Sequence, residues 1–187
     1  MTTSEWGPLG PLAGTWEGDE GLDVAFSNAE GAVIETPYRE RLVLNPFGPV
    51  DNGRQCLYGL DYRTSAWRGD EVNPFHTEVG YWMWDANDSE VVRCFLIPRG
   101  SAIVAGATVP ADATTYTLKA SVGSQTYGIL SNNWLDKNAR AVQFEVTIDT
   151  SVEDEFTYSE TTVIQHAKMP EQVIHTDGNT LRRIADA

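Results

Sequence analysis

Apolar and polar residues alternate with period two along nearly the whole chain, and no helical period survives beyond a turn or two. Tyr38 to Leu44 sets Tyr38, Glu40, Leu42 and Leu44 on one face and Arg39, Arg41 and Val43 on the other. Gln55 to Tyr62 does the same with Cys56, Tyr58, Leu60 and Tyr62, and Ala141 to Ile148 with Val142, Phe144, Val146 and Ile148. Turn chemistry separates these runs, as at Asn45-Pro46-Phe47-Gly48-Pro49, Asp51-Asn52-Gly53 and Pro98-Arg99-Gly100. The spacing predicts about ten short strands joined by tight turns. An open meander of that size would expose two edges, and closure removes them. The expected fold is therefore all-β: a single antiparallel up-and-down β-barrel of about ten strands, calycin-like, wide enough for an internal cavity. A two-sheet sandwich is the alternative.

The chain of 187 residues suits one domain, 1–187, with residues 1–11 as an irregular Pro- and Gly-rich lead-in. Trp16, between Gly14 and Gly18, reads as a bulky plug at a strand start. The formal net charge of −14 opposes nucleic acid and anionic membrane as partners. No apolar run approaches the ~18 residues of a membrane span. Met1 to Glu5 carries no leader-like pattern, so the cytoplasm is the expected compartment. Cys56 and Cys94 lie in strand-like runs and are expected as buried free thiols.

The densest stretch is Phe75-His76-Thr77-Glu78-Val79-Gly80-Tyr81-Trp82-Met83-Trp84, followed by the turn Asp85-Ala86-Asn87-Asp88 and the apolar run Val91 to Ile97. This hairpin carries an aromatic wall, which either fills a core or lines a cavity. Strand register decides whether Trp82, or Tyr81 and Met83, faces inward. Zinc-type histidine spacing, phosphate loops and a Gly-x-Ser-x-Gly elbow are all missing. The acidic residues are expected along solvent faces, with Asp149 and Glu153 to Glu155 as a solvated hairpin end. His166, beside Lys168 and Pro170, is expected at the surface or rim. His76 is either a core histidine bonded to a carbonyl or a polar group facing the cavity. His175, before Thr176-Asp177-Gly178-Asn179, is either bonded locally beside a turn or an axial ligand through a neutral imidazole nitrogen.

Several of these segments together resemble the nitrobindins, haem-binding β-barrels shaped like fatty-acid-binding proteins and lipocalins. Leu12-Ala13-Gly14-Thr15-Trp16-Glu17-Gly18 is similar to the family's opening Leu-x-Gly-x-Trp-x-Gly. The strand pair from Tyr38 to Thr64, Phe75 to Tyr81, the corner Ile97-Pro98-Arg99-Gly100, and His175 with Leu181-Arg182-Arg183 follow in the family's order. The resemblance implies a barrel with haem b in an open cavity, His175 as the iron ligand and His76 on the distal side. Inward members of the aromatic wall, Trp82 among them, would face the haem. It also implies ferric haem that binds nitric oxide and isomerises peroxynitrite to nitrate, and a barrel able to form a homodimer through its outer face. One departure bears on the ligand: His175 lies six residues before Leu181, where the family pattern has five. A one-residue slip turns a strand side chain over, and a bulge at Asp177-Gly178 is expected to restore the inward direction. The competing readings are a haem-free carrier of a small lipid-like molecule, with His175 outward or hydrogen-bonded, and an enzyme acting on a hydrophobic substrate. The enzyme would need a deep polar pair, such as His76 with a tyrosine or carboxylate, and none is apparent from sequence.

Overall fold

The computed structural model describes residues 3–187, with side chains from residue 5; Met1 and Thr2 of the expected lead-in lie outside the described residues. Eleven strands follow a short 3₁₀ segment, Thr3–Leu12: β1 Gly14–Ser27, β2 Ala32–Asp51, β3 Cys56–Trp67, β4 His76–Asp85, β5 Glu90–Ile97, β6 Ser101–Thr108, β7 Thr115–Val122, β8 Gly128–Ser131, β9 Ala139–Asp149, β10 Glu155–His166 and β11 Val173–Ala185. A short helix, α1 (Asn133–Asn138), is capped by the Asn132 side chain. The sheet closes in the order β1-β11-β10-β9-β7-β8-β6-β5-β4-β3-β2. The expected barrel is there, and closure leaves no free edge. The meander breaks once. The four-residue β8 slips between β6 and β7 and runs parallel to β7 over two residue pairs. Among the described residues no helix is long and apolar enough to cross a membrane.

The alternation holds in three dimensions. Tyr38, Glu40, Leu42 and Leu44 point inward, as do Leu60 and Tyr62, and Phe144, Val146 and Ile148. In the aromatic strand Trp82 and Trp84 are the inward members, while Tyr81 is half exposed on the outside. Gly80 sits directly against the β5 backbone, where any side chain would collide with Phe95.

One end of the barrel is fully buried, whereas at the other the inward side chains of His76 and His175 stay 35% and 30% exposed. The 3₁₀ segment closes the filled end by burying Leu9 and Leu12. Trp6 donates to the carbonyls of Phe47 (3.2 Å) and Gly59 (3.0 Å). The described part of the lead-in is thus an ordered lid, because its spaced apolar side chains, Leu9 and Leu12, meet the bottom of the core. Trp16 plugs the strand start as expected: it is 1% exposed and donates to the Leu12 carbonyl at 2.8 Å. Above this plug Leu42, Leu44, Leu60, Trp82, Trp84, Phe95, Phe144, Phe156 and Leu181 form one core cluster. Cys56 and Cys94 are free thiols, half-buried rather than buried.

Candidate functional site

Across the lumen, between the apolar half and the open end, lies a layer of hydrogen-bonded polar side chains. Arg93 of β5 is its centre. It donates through Nη2 to Glu78 Oε2 (2.6 Å), through Nη1 to Glu160 Oε2 (3.0 Å) and through Nε to the Tyr62 hydroxyl (3.1 Å). Tyr62 in turn donates to Glu78 Oε2 at 2.9 Å. The guanidinium lies 4.2 Å from the Phe95 ring centroid and 5.2 Å from that of Trp82. A second branch gathers on Glu40, which accepts from Thr64 (2.6 Å), Tyr158 (2.8 Å) and Asn179 (3.1 Å). Tyr158 and Tyr38 share a hydroxyl contact of 2.7 Å, and Tyr38 donates to Asp177 Oδ1 at 2.5 Å. Gly21 makes room for this, since the Tyr38 ring lies flat on its backbone where a Cβ would stand.

The open end lies above this layer, where β4 and β11 begin and β1 and β3 end. His76 and His175 both face inward there, with side chains 35% and 30% exposed, against 5% for Glu78 beneath. His76 contacts Glu78 Oε1 through Nε2 at 3.2 Å. His175 contacts Asp23 Oδ1 through Nε2 at 2.6 Å. By register Ala25, Ile34, Ile164 and Val173 share the inner face with His175.

Burial and charge set the protonation of the layer. Burial pushes the Glu78 carboxyl up, but Arg93, then His76 and Tyr62, outweigh it and hold it at about 2. Glu160 goes the other way. Burial raises it, Arg93 compensates only in part, and Glu78 and Asp177 repel its charge, so it titrates at about 7. Burial lifts Asp177 to about 6 despite the Tyr38 bond, with Glu40 and Asp23 adding to the rise. Glu40 is raised by burial against its three hydrogen bonds. Burial would depress both imidazoles, but Glu78 lifts His76 and Asp23 lifts His175 above the ordinary histidine value. One permanent cation therefore serves two carboxyl groups, Glu78 and Glu160, of which Glu160 titrates near neutrality. The layer can hold and exchange protons directly beneath the mouth.

The sequence-predicted residues fall as follows. His175 faces inward, in phase with Val173, Asn179 and Leu181. The bulge expected at Asp177-Gly178 is not there: the β10–β11 ladder runs unbroken from Glu155–Arg182 to Ile164–Val173. Six residues is an even spacing, so His175 and Leu181 share a face without help. The irregularity sits instead in β1, which carries one extra residue between Gly18 and Gly21. His175 is inward and also hydrogen-bonded, where the sequence argument set those two outcomes against each other. His76 is inward on a different wall and bonded to a carboxylate, not to a carbonyl. Trp82 faces inward, but packs into the filled half under Arg93 and 6.5 Å from the Tyr62 ring. His166 is at the rim, 4.4 Å from the Phe26 ring, accepting from the Lys168 amide through Nδ1.

The expectation that acidic residues line solvent faces fails for Glu40, Glu78, Glu160, Asp177 and Asp23, all of which point into the barrel. Arg93 compensates the charge of Glu78 and Glu160, and hydrogen bonds from Thr64, Tyr158 and Asn179 to Glu40 and from Tyr38 to Asp177 satisfy the other two. The deep polar pair missed in the sequence is also present, as His76–Glu78–Tyr62. Its signal was available: Glu40 alternates in phase with Leu42, and Glu78 with His76 and Trp82.

The mouth residues suit a haem. His175 reaches the inner face from β11 with Ala25, Ile34, Ile164 and Val173 on the same face, and His76 reaches it from β4, four strands away in the closed sheet. His175 Nε2 is already engaged by Asp23.

Comparison with known proteins agrees with this architecture. Among curated proteins none matches the chain. A crystal structure of Rv2717c from M. tuberculosis is similar in fold, with a TM-score of 0.66, 18% identity and 94% of each chain covered. The family model described as "THAP4-like, heme-binding beta-barrel domain" matches residues 5–183, nearly the whole barrel with its lid. The chain belongs to the THAP4-like haem-binding β-barrel domain family.

Proposed function

We propose that the protein holds one haem b in the open half of the barrel, with His175 as the protein ligand of the iron. The observation that carries this reading is the inward direction of His175 at the mouth of a closed barrel of this family. The polar layer forms the floor of the site. His76, oriented by Glu78, would offer a hydrogen bond to a small ligand held in the mouth. When bound, haem would supply the iron chemistry that the nitrobindin resemblance implies, nitric oxide binding and isomerisation of peroxynitrite to nitrate. Glu160, which titrates at about 7, keeps a proton close to the mouth. The proposed compartment is the cytoplasm, where the two half-buried thiols stay reduced.

A second reading has its own support. The Asp23–His175 contact is what a haem-free carrier of a small hydrophobic or lipid-like molecule would show. Absorption spectra after haem addition separate the two. A Soret band present in wild type and His166→Ala but lost in His175→Ala supports the haem site; no band in wild type leaves the carrier. A homodimer belongs to the same proposal. Val79, Tyr81, Leu96, Val104 and Leu130 leave apolar side chains exposed on the outer face of β4, β5, β6 and β8. Sedimentation of Leu130→Asp against wild type tests it, with a shift to monomer expected.

A further inference from the structure

The contact between Asp23 and His175 joins the inner faces of two neighbouring strands. Its geometry depends on the extra residue in β1. Regular alternation from Gly18 would turn Leu22 inward and Asp23 outward. The added residue between Gly18 and Gly21 reverses this and puts Asp23 on the lumen side, directly opposite Asp177 and diagonal to His175. The side chain of Asp23 is 16% exposed and that of His175 30%, so solvent screens the contact only in part. Among the described residues it is the only hydrogen bond the His175 ring makes.

An imidazole nitrogen has a single in-plane direction for bonding. Nε2 therefore cannot face the Asp23 carboxylate and an iron at the same time. We infer that Asp23 is an intramolecular competitor for His175: it occupies Nε2 in the haem-free protein and must be displaced when the iron binds. This rests on the haem reading above and concerns this chain's own residues. The displacement has a second cost. Asp23 then faces Asp177 across the β1–β11 ladder without the ring as a donor, and like charges directly opposite are unfavourable. Asp23 thus lowers the affinity for haem while holding the empty site's ligand in place. The same carboxylate would raise affinity if it oriented the ring from Nδ1, as second partners of metal-bound histidines do. The sign of its effect on affinity separates the two roles.

The test is a titration of ferric haem into wild type, Asp23→Asn, Asp23→Ala and Glu35→Gln, read from the Soret band. Glu35 lies exposed on the outer face of β2, and its substitution controls for the simple loss of one negative charge. Circular dichroism verifies the fold of each variant. A charge-assisted hydrogen bond is worth about a tenfold factor or more. Asp23→Ala should therefore bind haem about tenfold tighter or better, Asp23→Asn, which keeps a neutral acceptor for the ring, tighter by less, with Glu35→Gln unchanged. Equal or weaker binding by the Asp23 variants overturns the inference, as does equal tightening by Glu35→Gln. In the haem-free protein the ¹⁵N resonance of His175 Nε2 should move in Asp23→Asn, and an unmoved resonance overturns the contact itself. No Soret band in any of the four proteins overturns the haem reading and the competitor role with it. Bands in all four without tightening overturn the competitor role alone.

Discussion

Glu160→Gln should stabilise the protein at neutral pH and leave it unchanged in mild acid. In the folded protein the Glu160 carboxyl titrates at about 7, against an ordinary value of 4.5, because it is buried beside Glu78 and Asp177 and shares Arg93 with Glu78. Each pH unit of that gap is worth about 1.4 kcal/mol, so ionising Glu160 in place costs the fold about 3 kcal/mol. The sign follows from the folded value lying above the unfolded one. The stability is complete below pH 4.5 and is lost as the pH climbs through 7. Glu78 has the opposite sign, its contribution being lost only as pH falls through about 2, so it stays level across this window. Glutamine keeps an oxygen for Arg93 Nη1 and cannot ionise. Urea unfolding followed by tryptophan fluorescence between pH 4.5 and 7.5 measures the difference between the two proteins. The curves should coincide near pH 4.5 and separate to about 3 kcal/mol by pH 7.5, roughly 6–12 °C in Tm for a chain of this length. A constant offset, or a wild type more stable than the variant at pH 7.5, would refute the assignment of a proton to Glu160.

Two further substitutions probe the same layer. Arg93→Met leaves Glu78 and Glu160 without their cation and should cost about 3–5 kcal/mol at pH 7.5. That loss should shrink at pH 5, where the freed carboxyls take up protons, and urea titrations at the two pH values measure it. Gly21→Ala drives a methyl group into the Tyr38 ring and should cost about 1–3 kcal/mol by thermal unfolding, with the Tyr38–Asp177 bond lost.

The layer marks where the apolar core of the eleven-stranded barrel stops. A lumen filled throughout by apolar side chains would collapse to close packing. Here the polar side chains are tied to one another across the lumen, from Arg93 to Glu160 and from Glu40 to Tyr158, so the floor is rigid where the apolar core stops. The half-exposed imidazoles stand above that floor.

Much of this was written in local pattern. Period-two alternation placed Leu42, Leu60, Phe144 and Val146 inside, and turn residues marked most strand ends. Exposed edges argued for closure. Trp16 as a plug followed from a single position, whereas the inward direction of His175 was expected from the family resemblance and through a bulge that β11 does not have. What the chain could not state locally was which partners the inward polar residues would meet. Arg93 and Glu160 are separated by 67 residues along the chain, and Asp23 and His175 by 152. The partnership of each pair is set by closure of the sheet, by the extra residue in β1 and by the shear between strands. Alternation decides which side of a strand a residue takes. Only the closed sheet decides what stands across the lumen from it, because hydrogen-bond register between distant strands is a property of the assembled barrel.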